Sequence, residues 1–172
     1  MAETLEVLKT RRSCRAYKPE LIEEEKLNAI IEAGTYAATG MGKQSPIIIA
    51  VTDPEVRNKL SRLNVAVMNA NMDPFYGAPE LLVVLANKDI GTYLYDGSLV
   101  MGNLMNAAAD LGVASCWIHR AKEEFESEEG KAILKKLGIE GNYEGIGNLI
   151  LGYAAGPEAQ PAPRKADYVY RI

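Results

Sequence analysis

The stretch GTYLYDGSLVMGNLMNAAADL, residues 91–111, is the most unusual part of the sequence and decides how the chain can fold. Its residues are apolar or small almost all round, and Gly112 follows in the position of a helix C-cap. A helix without a polar face is normally covered on every side. A chain of 172 residues is the size of one domain, and so small a domain has few other elements with which to cover such a helix. We therefore expect a partner subunit to cover part of this helix.

Shorter patterns on both sides of this stretch predict further helices and strands. The spacing of apolar residues predicts helices over 3–10, 23–38, 54–70 and 122–137. Short apolar runs between turn-forming residues predict strands over 46–52, 79–87, 113–118 and 146–153. The tail from Gly156 contains three prolines and ends in an alternating run, 167–172, that is typical of an edge strand. The order of elements indicates one domain of the α/β or α+β class, with helices covering a sheet.

Composition and charge exclude several classes of protein. The net charge of −4 argues against a nucleic-acid-coating protein, which must neutralise many phosphates. A hydrophobic fraction of 48% argues against disorder and allows a sizeable core. The longest apolar runs, such as 81–86, are too short to cross a membrane, and the first residues contain no apolar signal segment. We expect a cytoplasmic protein with neither a nucleic-acid partner nor a membrane partner.

The cysteine and histidine content argues against a metal centre. Cys14 and Cys116 lie far apart and form neither a CxxC pair nor a zinc ligand set, and the chain has one histidine. The glycine-containing segments 39–44 and 145–152 lack the spacing of a P-loop or of a dinucleotide-binding motif. If the protein performs difficult chemistry, an organic cofactor must supply it.

Two polar segments are candidate binding sites. The segment RRSCR, 11–15, places three guanidinium groups and a hydroxyl within five residues. That set suits phosphate oxygens, but it equally fits the solvated basic end of a helix. The segment AATGMGKQSP, 37–46, has small residues that let a flat ligand approach the backbone, although its composition also fits an ordinary loop. Phe75 and Tyr76 either line a pocket or belong to the core, and the same alternatives hold for Trp117.

Seven motifs follow one another along nearly the whole chain. They are RRSxR (11–15), ATGxxxQSP (38–46), GAP (77–79), DGSLVMGNLMNAAADLG (96–112), SCWI (115–118), LGY (151–153) and PRK (163–165). Their order and spacing resemble the FMN-dependent nitroreductase family. The resemblance implies an α+β fold with a central mixed β-sheet flanked by helices, and an entwined homodimer with FMN at the subunit interface. It also implies reduction of nitroaromatics, quinones or similar acceptors by NADH or NADPH, in a ping-pong mechanism through flavin N5.

The resemblance further implies roles for individual residues. Contacts to the FMN phosphate are implied for Arg11 and Ser13, with Arg12 beside them. Arg15 matches the basic residue at the pyrimidine end of the flavin ring. The loop that the partner subunit lays against the cofactor is matched by Thr39, Gly40, Gly42 and Gln44. Contacts to the flavin ring are matched by Asn71, Trp117, Ile118 and His119. A late basic pair that closes on the phosphate is matched by Arg164 and Lys165.

The chain departs from the family at Gly42, where relatives usually have asparagine. No catalytic side chain and no metal are implied, because the flavin carries the chemistry. We expect one FMN-binding domain over 1–172, with the tail from about 156 extended onto the partner subunit. Two other functions are open on the sequence. One is a flavin-binding storage or sensing module with little turnover, and the other is a flavin-free interaction protein that keeps only the dimeric fold.

Overall fold

Four strands form one antiparallel sheet at the centre of the protein, in a computed structural model that describes residues 4–157 and 159–172. The strands are β1 (Pro46–Val51), β2 (Glu80–Asn87), β3 (Ala114–Ile118) and β4 (Tyr143–Gly152). Their order is β1-β2-β4-β3, and every neighbouring pair is antiparallel. The resemblance implies a mixed sheet, with both parallel and antiparallel pairing. Within the described residues, the one parallel pairing is the bridge between Ser13 and Ser115, beside β3.

Helices cover both faces of this sheet. In the described part of the chain they are α1 (Thr4–Thr10), α2 (Glu24–Thr35), α3 (Pro54–Met68), α4 (Tyr93–Asp110), α5 (Ala121–Glu126) and α6 (Glu128–Lys136). One face packs on α2 and α4, through residues such as Ile30 and Leu104. The other face packs on α3 and α5, through residues such as Leu60 and Phe125. Because both faces are covered, β2 is apolar between its terminal Glu80 and Asn87, and 81–86 are at most 1% exposed. The α+β fold predicted from the sequence is confirmed.

The longest described helix is α4, and it has 18 residues where the sequence predicts a helix over 91–111. Its inner side is buried, and α2 approaches it closely at Gly34, where a Cβ would lie 2.5 Å from Cδ2 of Leu104. On its outer side, Leu94, Tyr95 and Leu99 are 50%, 71% and 51% exposed. The protomer thus leaves one apolar side of α4 uncovered. None of the helices in the described ranges is long and apolar enough to span a membrane.

The prediction of one continuous helix over 122–137 is wrong. The structure has two helices there, α5 and α6, which meet at Ser127. The backbone of Ser127 is extended, and its Oγ accepts a hydrogen bond from the Gly130 N–H at 3.0 Å, which caps the start of α6. A Cβ on Gly130 would lie 2.1 Å from the Glu124 carbonyl oxygen, so the small residue allows α6 to turn closely against α5.

The end of the tail also differs from the prediction. Residues 167–172 form no strand within the protomer, and all six are exposed. The start of the tail is anchored instead, since Tyr17 and Ala154 form an antiparallel bridge and the Ala155 N–H donates to the Ala16 carbonyl at 2.9 Å. The sequence pattern is that of a strand, but the protomer offers it no partner within the described residues.

The variant Gly34→Ala should lower the free energy of unfolding by about 1–3 kcal/mol, because its Cβ overlaps Leu104 in a close-packed core. This loss outweighs the roughly 0.5–1 kcal/mol that alanine gains over glycine within a helix. Gly91→Ala is the matched control, since nothing lies within 4 Å of its added Cβ, and it should change stability by less than about 0.5 kcal/mol. Urea denaturation measures both variants. Equal stability of the two would contradict the close approach of α2 to α4.

Candidate functional site

A cavity of about 480 Å³ lies beside β3, and we call it the first cavity. The segment 11–16 forms one wall and is held against the sheet by backbone contacts. The Cys14 N–H donates to the Ser115 carbonyl at 3.0 Å, next to the parallel bridge between Ser13 and Ser115. Gly112 at the end of α4 and Gly156 at the start of the tail line other sides of the first cavity.

The first cavity has a cationic wall made by the basic segment. Arg11, Arg12, Ser13 and Arg15 all line it, and none of its described lining residues is acidic. Nη1 of Arg11 and Nε of Arg12 are buried and have no hydrogen-bond partner among the described residues. Nη1 of Arg12 donates a hydrogen bond to the carbonyl of the adjacent Arg11, at 2.6 Å. Because a buried charged donor without a partner is costly, the wall is suited to an anion with several oxygens, such as a phosphate.

A second cavity of about 180 Å³ adjoins the same segment, because Arg15 lines both cavities. Trp117, Ile118 and His119, at the end of β3, line the second cavity. The structure therefore brings Arg15 and the strand-end residues to one place. Met68, Met72, Pro74 and Tyr76 supply apolar and aromatic parts of its lining.

The two neighbouring aromatic residues of the 71–78 loop have different places. Phe75 is fully buried in the core, whereas Tyr76 lines the second cavity with a left-handed backbone, φ 51°. Trp117 is half-buried and lines the same cavity, so a core position alone does not describe it. Tyr76 and Trp117 are therefore available to a flat ligand, and Phe75 is not.

The loop 39–44 is held by a buried carboxylate at the start of α4. Oδ1 of Asp96 accepts from the Gly40 N–H at 2.9 Å, and Oδ2 accepts from the hydroxyls of Ser45 and Thr92 at 2.8 and 3.0 Å. Burial raises the pKa of Asp96, but these three hydrogen bonds hold it below its ordinary value. The loop also contains left-handed backbone at Met41 and Gln44, with φ of 54° and 48°. Asp96 thus stabilises a conformation that the loop sequence does not favour by itself.

Several sequence-predicted site residues lie away from both cavities of the protomer. The residues that line neither cavity are Thr39, Gly40, Gly42, Gln44, Asn71, Arg164 and Lys165. Arg164 is exposed and donates to the Ala162 carbonyl, and Lys165 lies over the Tyr168 ring at 5.6 Å. The protomer therefore brings the basic segment 11–15 together with the end of β3, but it does not bring Asn71, the loop 39–44 or the tail to either cavity.

A buried polar network lies behind the second cavity. Asn64 of α3 is fully buried and donates to the His119 carbonyl at 2.8 Å and to Glu124. The side chain of Asn148 on β4 donates to both carboxyl oxygens of Glu124, at 2.9 and 3.0 Å. Nε of Arg120 donates to Oδ1 of Asn64 at 3.0 Å. These hydrogen bonds connect α3, α5 and β4 to the loop that follows β3.

Burial raises the pKa of Glu124 to about 7, although hydrogen bonds from Asn64 and Asn148 and the charge of Arg120 lower it. The side chain is 1% exposed, so it carries its charge poorly near neutral pH. Sequence reasoning missed this network and also missed Asp96. An acid inside the otherwise apolar stretch 91–111 is the signal that could have found Asp96. Only spatial contacts reveal Glu124, since it stands among other acids in a charged helix.

The variant Glu124→Gln should gain stability relative to the wild type as the pH rises from about 5 to about 8. The folded-state pKa near 7 lies above the ordinary value of 4.5, so unfolding releases a proton between these values. The contribution of the protonated carboxyl is present below pH 4.5 and is lost as the pH rises through 7. Glutamine has no such loss, and the difference should change by on the order of 3 kcal/mol.

Urea denaturation at a series of pH values measures that difference. Glu123→Gln is the matched control, because it removes an exposed carboxyl from the same helix. A difference between wild type and Glu124→Gln that stays constant over this pH range would show that Glu124 does not titrate as a buried group.

The sequence and the fold of this chain are similar to those of several known proteins. The model of the Nitroreductase family matches residues 8–153. A protein of Archaeoglobus fulgidus, provisionally named NADH dehydrogenase/NAD(P)H nitroreductase, is 32% identical over 158 residues, which cover 89% of this chain and 86% of that protein. An FMN reductase (NADPH) of Bacillus subtilis is 25% identical over 73% of this chain and 57% of its own length. A crystal structure of a nitroreductase with bound FMN from Bacteroides fragilis superposes with a TM-score of 0.90, at 31% identity and full coverage of both chains.

Proposed function

The chain belongs to the nitroreductase family, and from that premise we propose that it is an FMN-dependent oxidoreductase. It uses NADH or NADPH to reduce nitroaromatics, quinones or similar acceptors. The observation that carries this proposal is the pair of buried, unpartnered guanidinium atoms in the first cavity, Nη1 of Arg11 and Nε of Arg12. Among relatives, FMN is bound in the B. fragilis structure and NADPH is named for the B. subtilis reductase.

The first cavity suits the phosphate end of FMN. A phosphate dianion offers enough oxygens for Arg11, Arg12 and the hydroxyl of Ser13. Ser115 adds a hydroxyl that is buried and has no hydrogen-bond partner in the described residues. These donors already stand in the cavity wall, so binding requires little reorganisation of the chain.

The flavin ring is assigned to the junction of the two cavities, at Arg15. Trp117, Ile118 and His119 then lie beside the ring, and the apolar walls of the second cavity remain for the ligand that exchanges electrons with it. When bound, FMN supplies the two-electron chemistry, by accepting hydride from NAD(P)H at N5 and passing electrons to the acceptor. The guanidinium of Arg15 favours negative charge at the pyrimidine end of the ring in this partly enclosed site.

The overall reaction balances without a protein nucleophile. NAD(P)H gives up a hydride, and one further proton comes from solvent. A nitro group takes up these two electrons and two protons and becomes a nitroso group with loss of water. A quinone takes up the same electrons and protons and becomes a hydroquinone. Because donor and acceptor use one cavity in turn, the kinetics are ping-pong.

We further propose a homodimer in which each site is completed by the partner. The loop 39–44 lines neither cavity of its own protomer, although Asp96 holds it in an ordered conformation. Met41 of this loop is 84% exposed, and one side of α4 is apolar and uncovered. In the proposed dimer, α4 packs at the interface, the partner subunit's loop lies against the flavin, and the tail from about 156 extends onto the partner. Arg164 and Lys165 reach the phosphate by that route.

A cytoplasmic location fits this proposal. Cys14 and Cys116 are both free thiols, as is usual in a reducing compartment. NADH and NADPH are available in the same compartment. The single domain over 1–172 is therefore proposed to work there as a dimeric flavoenzyme.

The variant Arg11→Ala should weaken FMN binding by roughly 1.5–3 kcal/mol, the range for a charge-assisted hydrogen bond, and should weaken riboflavin binding much less. Riboflavin lacks the phosphate and serves as the ligand control. Lys9→Ala is the protein control, because it removes an exposed cation from α1, two residues before Arg11. Fluorescence titration of the apoprotein measures both affinities. Equal weakening of the two ligands would contradict the assignment of Arg11 to the phosphate.

The variant Leu99→Glu should dissociate the dimer, because a carboxylate in an apolar interface costs several kcal/mol. The same change is harmless to the protomer, where Leu99 is 51% exposed. Leu137→Glu is the matched control, with 52% exposure just after α6, and should remain dimeric. Sedimentation velocity distinguishes monomer from dimer. A Leu99→Glu protein that stays dimeric would contradict the placement of α4 at the interface.

Anaerobic titration with NADPH and NADH tests the enzymatic function itself. The flavin absorption band of the purified protein should bleach with one equivalent of donor and recover when a nitroaromatic or a quinone is added. A protein that binds FMN but is not reduced by either donor would be a storage or sensing module. A protein that purifies without flavin and does not bind it would contradict the proposal altogether.

A further inference from the structure

The lining of the second cavity contains a cationic side chain to which the family resemblance assigns no role. Arg15, His119 and Arg120 all line it, and its described lining residues include neither aspartate nor glutamate. Arg15 is already assigned to the flavin ring. Arg120 therefore places an additional cation beside the space left for the acceptor.

The position of Arg120 is fixed by its surroundings. Its backbone is left-handed, with φ 78°, a conformation that residues other than glycine rarely adopt. Its Nε donates to the fully buried Asn64, which also holds the His119 carbonyl. Glu124 in turn accepts a hydrogen bond from Asn64 and lies buried behind it. The arginine is thus held at the cavity by a network inside the protein.

The guanidinium of Arg120 has donor capacity to spare. Arginine has five N–H donors, and within the described residues its one side-chain hydrogen bond is that from Nε to Asn64. It forms no ion pair with a carboxylate in the described part of the chain. A planar guanidinium of this kind binds a carboxylate through two parallel hydrogen bonds.

The rest of the second cavity suits an aromatic ring. Met68, Met72 and Pro74 are apolar, and Tyr76 and Trp117 are aromatic. Flat apolar walls with a cation at the edge fit a ligand that has a ring and an acid group. Neutral acceptors would contact the apolar walls but offer no carboxylate to the remaining N–H donors of the guanidinium.

We propose that Arg120 binds the carboxylate of an aromatic acceptor in the second cavity, so that the enzyme prefers acidic nitroaromatics or quinones over neutral ones. This inference rests on the proposed function and names the substrate class for it. Arg120 is a specificity-determining residue in this proposal, and Asn64 is the residue that positions it.

The test compares two acceptors that differ mainly in charge, 4-nitrobenzoate and its methyl ester, with the FMN-loaded enzyme and NADPH or NADH as donor. The wild type should show a kcat/KM about tenfold or more higher for the carboxylate, which corresponds to about 1.4 kcal/mol or more. Arg120→Gly should reduce the ratio to about one. Glycine accepts the left-handed backbone, so this variant removes the guanidinium and its hydrogen bond to Asn64 without adding backbone strain. Arg120→Lys should retain part of the preference, and Lys136→Gln, an exposed cation outside both cavities, should retain all of it.

Calorimetric binding of benzoate and benzamide to the FMN-loaded protein gives a readout independent of turnover. Benzoate should bind more tightly than benzamide, and Arg120→Gly should remove that difference. If both acceptors are reduced but neither comparison shows a preference for the acid, the inference is wrong and the proposed function stands. If neither acceptor is reduced but benzoate binding still depends on Arg120, the subsite stands and the proposed function fails.

Two other outcomes would overturn the inference. If Arg120→Gly slows both acceptors equally and lowers the flavin midpoint potential, the arginine acts on the cofactor. If the variant affects only the KM for NADPH and leaves an uncharged N-benzyl dihydronicotinamide donor unchanged, the arginine binds the phosphates of the donor.

Discussion

A short run of backbone hydrogen bonds along the edge of the sheet is the constraint on which the candidate site depends. The Cys14 N–H donates to the Ser115 carbonyl at 3.0 Å, and the Lys18 N–H donates to the Tyr153 carbonyl at 2.8 Å. The first bond lays the basic segment 11–16 along β3 and closes one wall of the first cavity, and the second anchors the following residues just beyond the end of β4. Without them the arginines would be solvated charges at the end of α1. Held in place, two of their nitrogens are buried without a partner among the described residues, an arrangement that suits an anion.

Buried acids then fix the parts of the site that the sheet does not reach. Asp96 sets the conformation of the loop 39–44, and Glu124 supports Asn64 and, through it, the loop that follows β3. Both carboxyls are nearly inaccessible, so each depends on its hydrogen bonds. The two acids serve different halves of the proposed site. Glu124 acts within its own protomer, whereas the loop held by Asp96 is proposed to act on the partner's flavin.

The sequence predicted most of the fold because its strongest signals are local. The apolar stretch 91–111 predicted α4 within two residues at its start and one at its end, and the helix predicted over 54–70 begins at Pro54 and ends at Met68. The split at Ser127 was missed, because a serine within a charged helix is ambiguous until its cap is seen. The network around Glu124 was also missed, since its partners Asn64 and Asn148 are far apart in the sequence. The roles of the loop and tail remain predictions, because they depend on a second copy of the chain.

In the proposed enzyme, a complete flavin site needs two protomers. Sedimentation velocity of the native protein, recorded at the flavin absorption band over a dilution series, tests it most directly. The flavin signal should sediment with the dimer at every concentration, and free flavin should appear as monomer forms. Flavin that sediments with a folded monomer would contradict the shared site, because the residues of one protomer would then suffice.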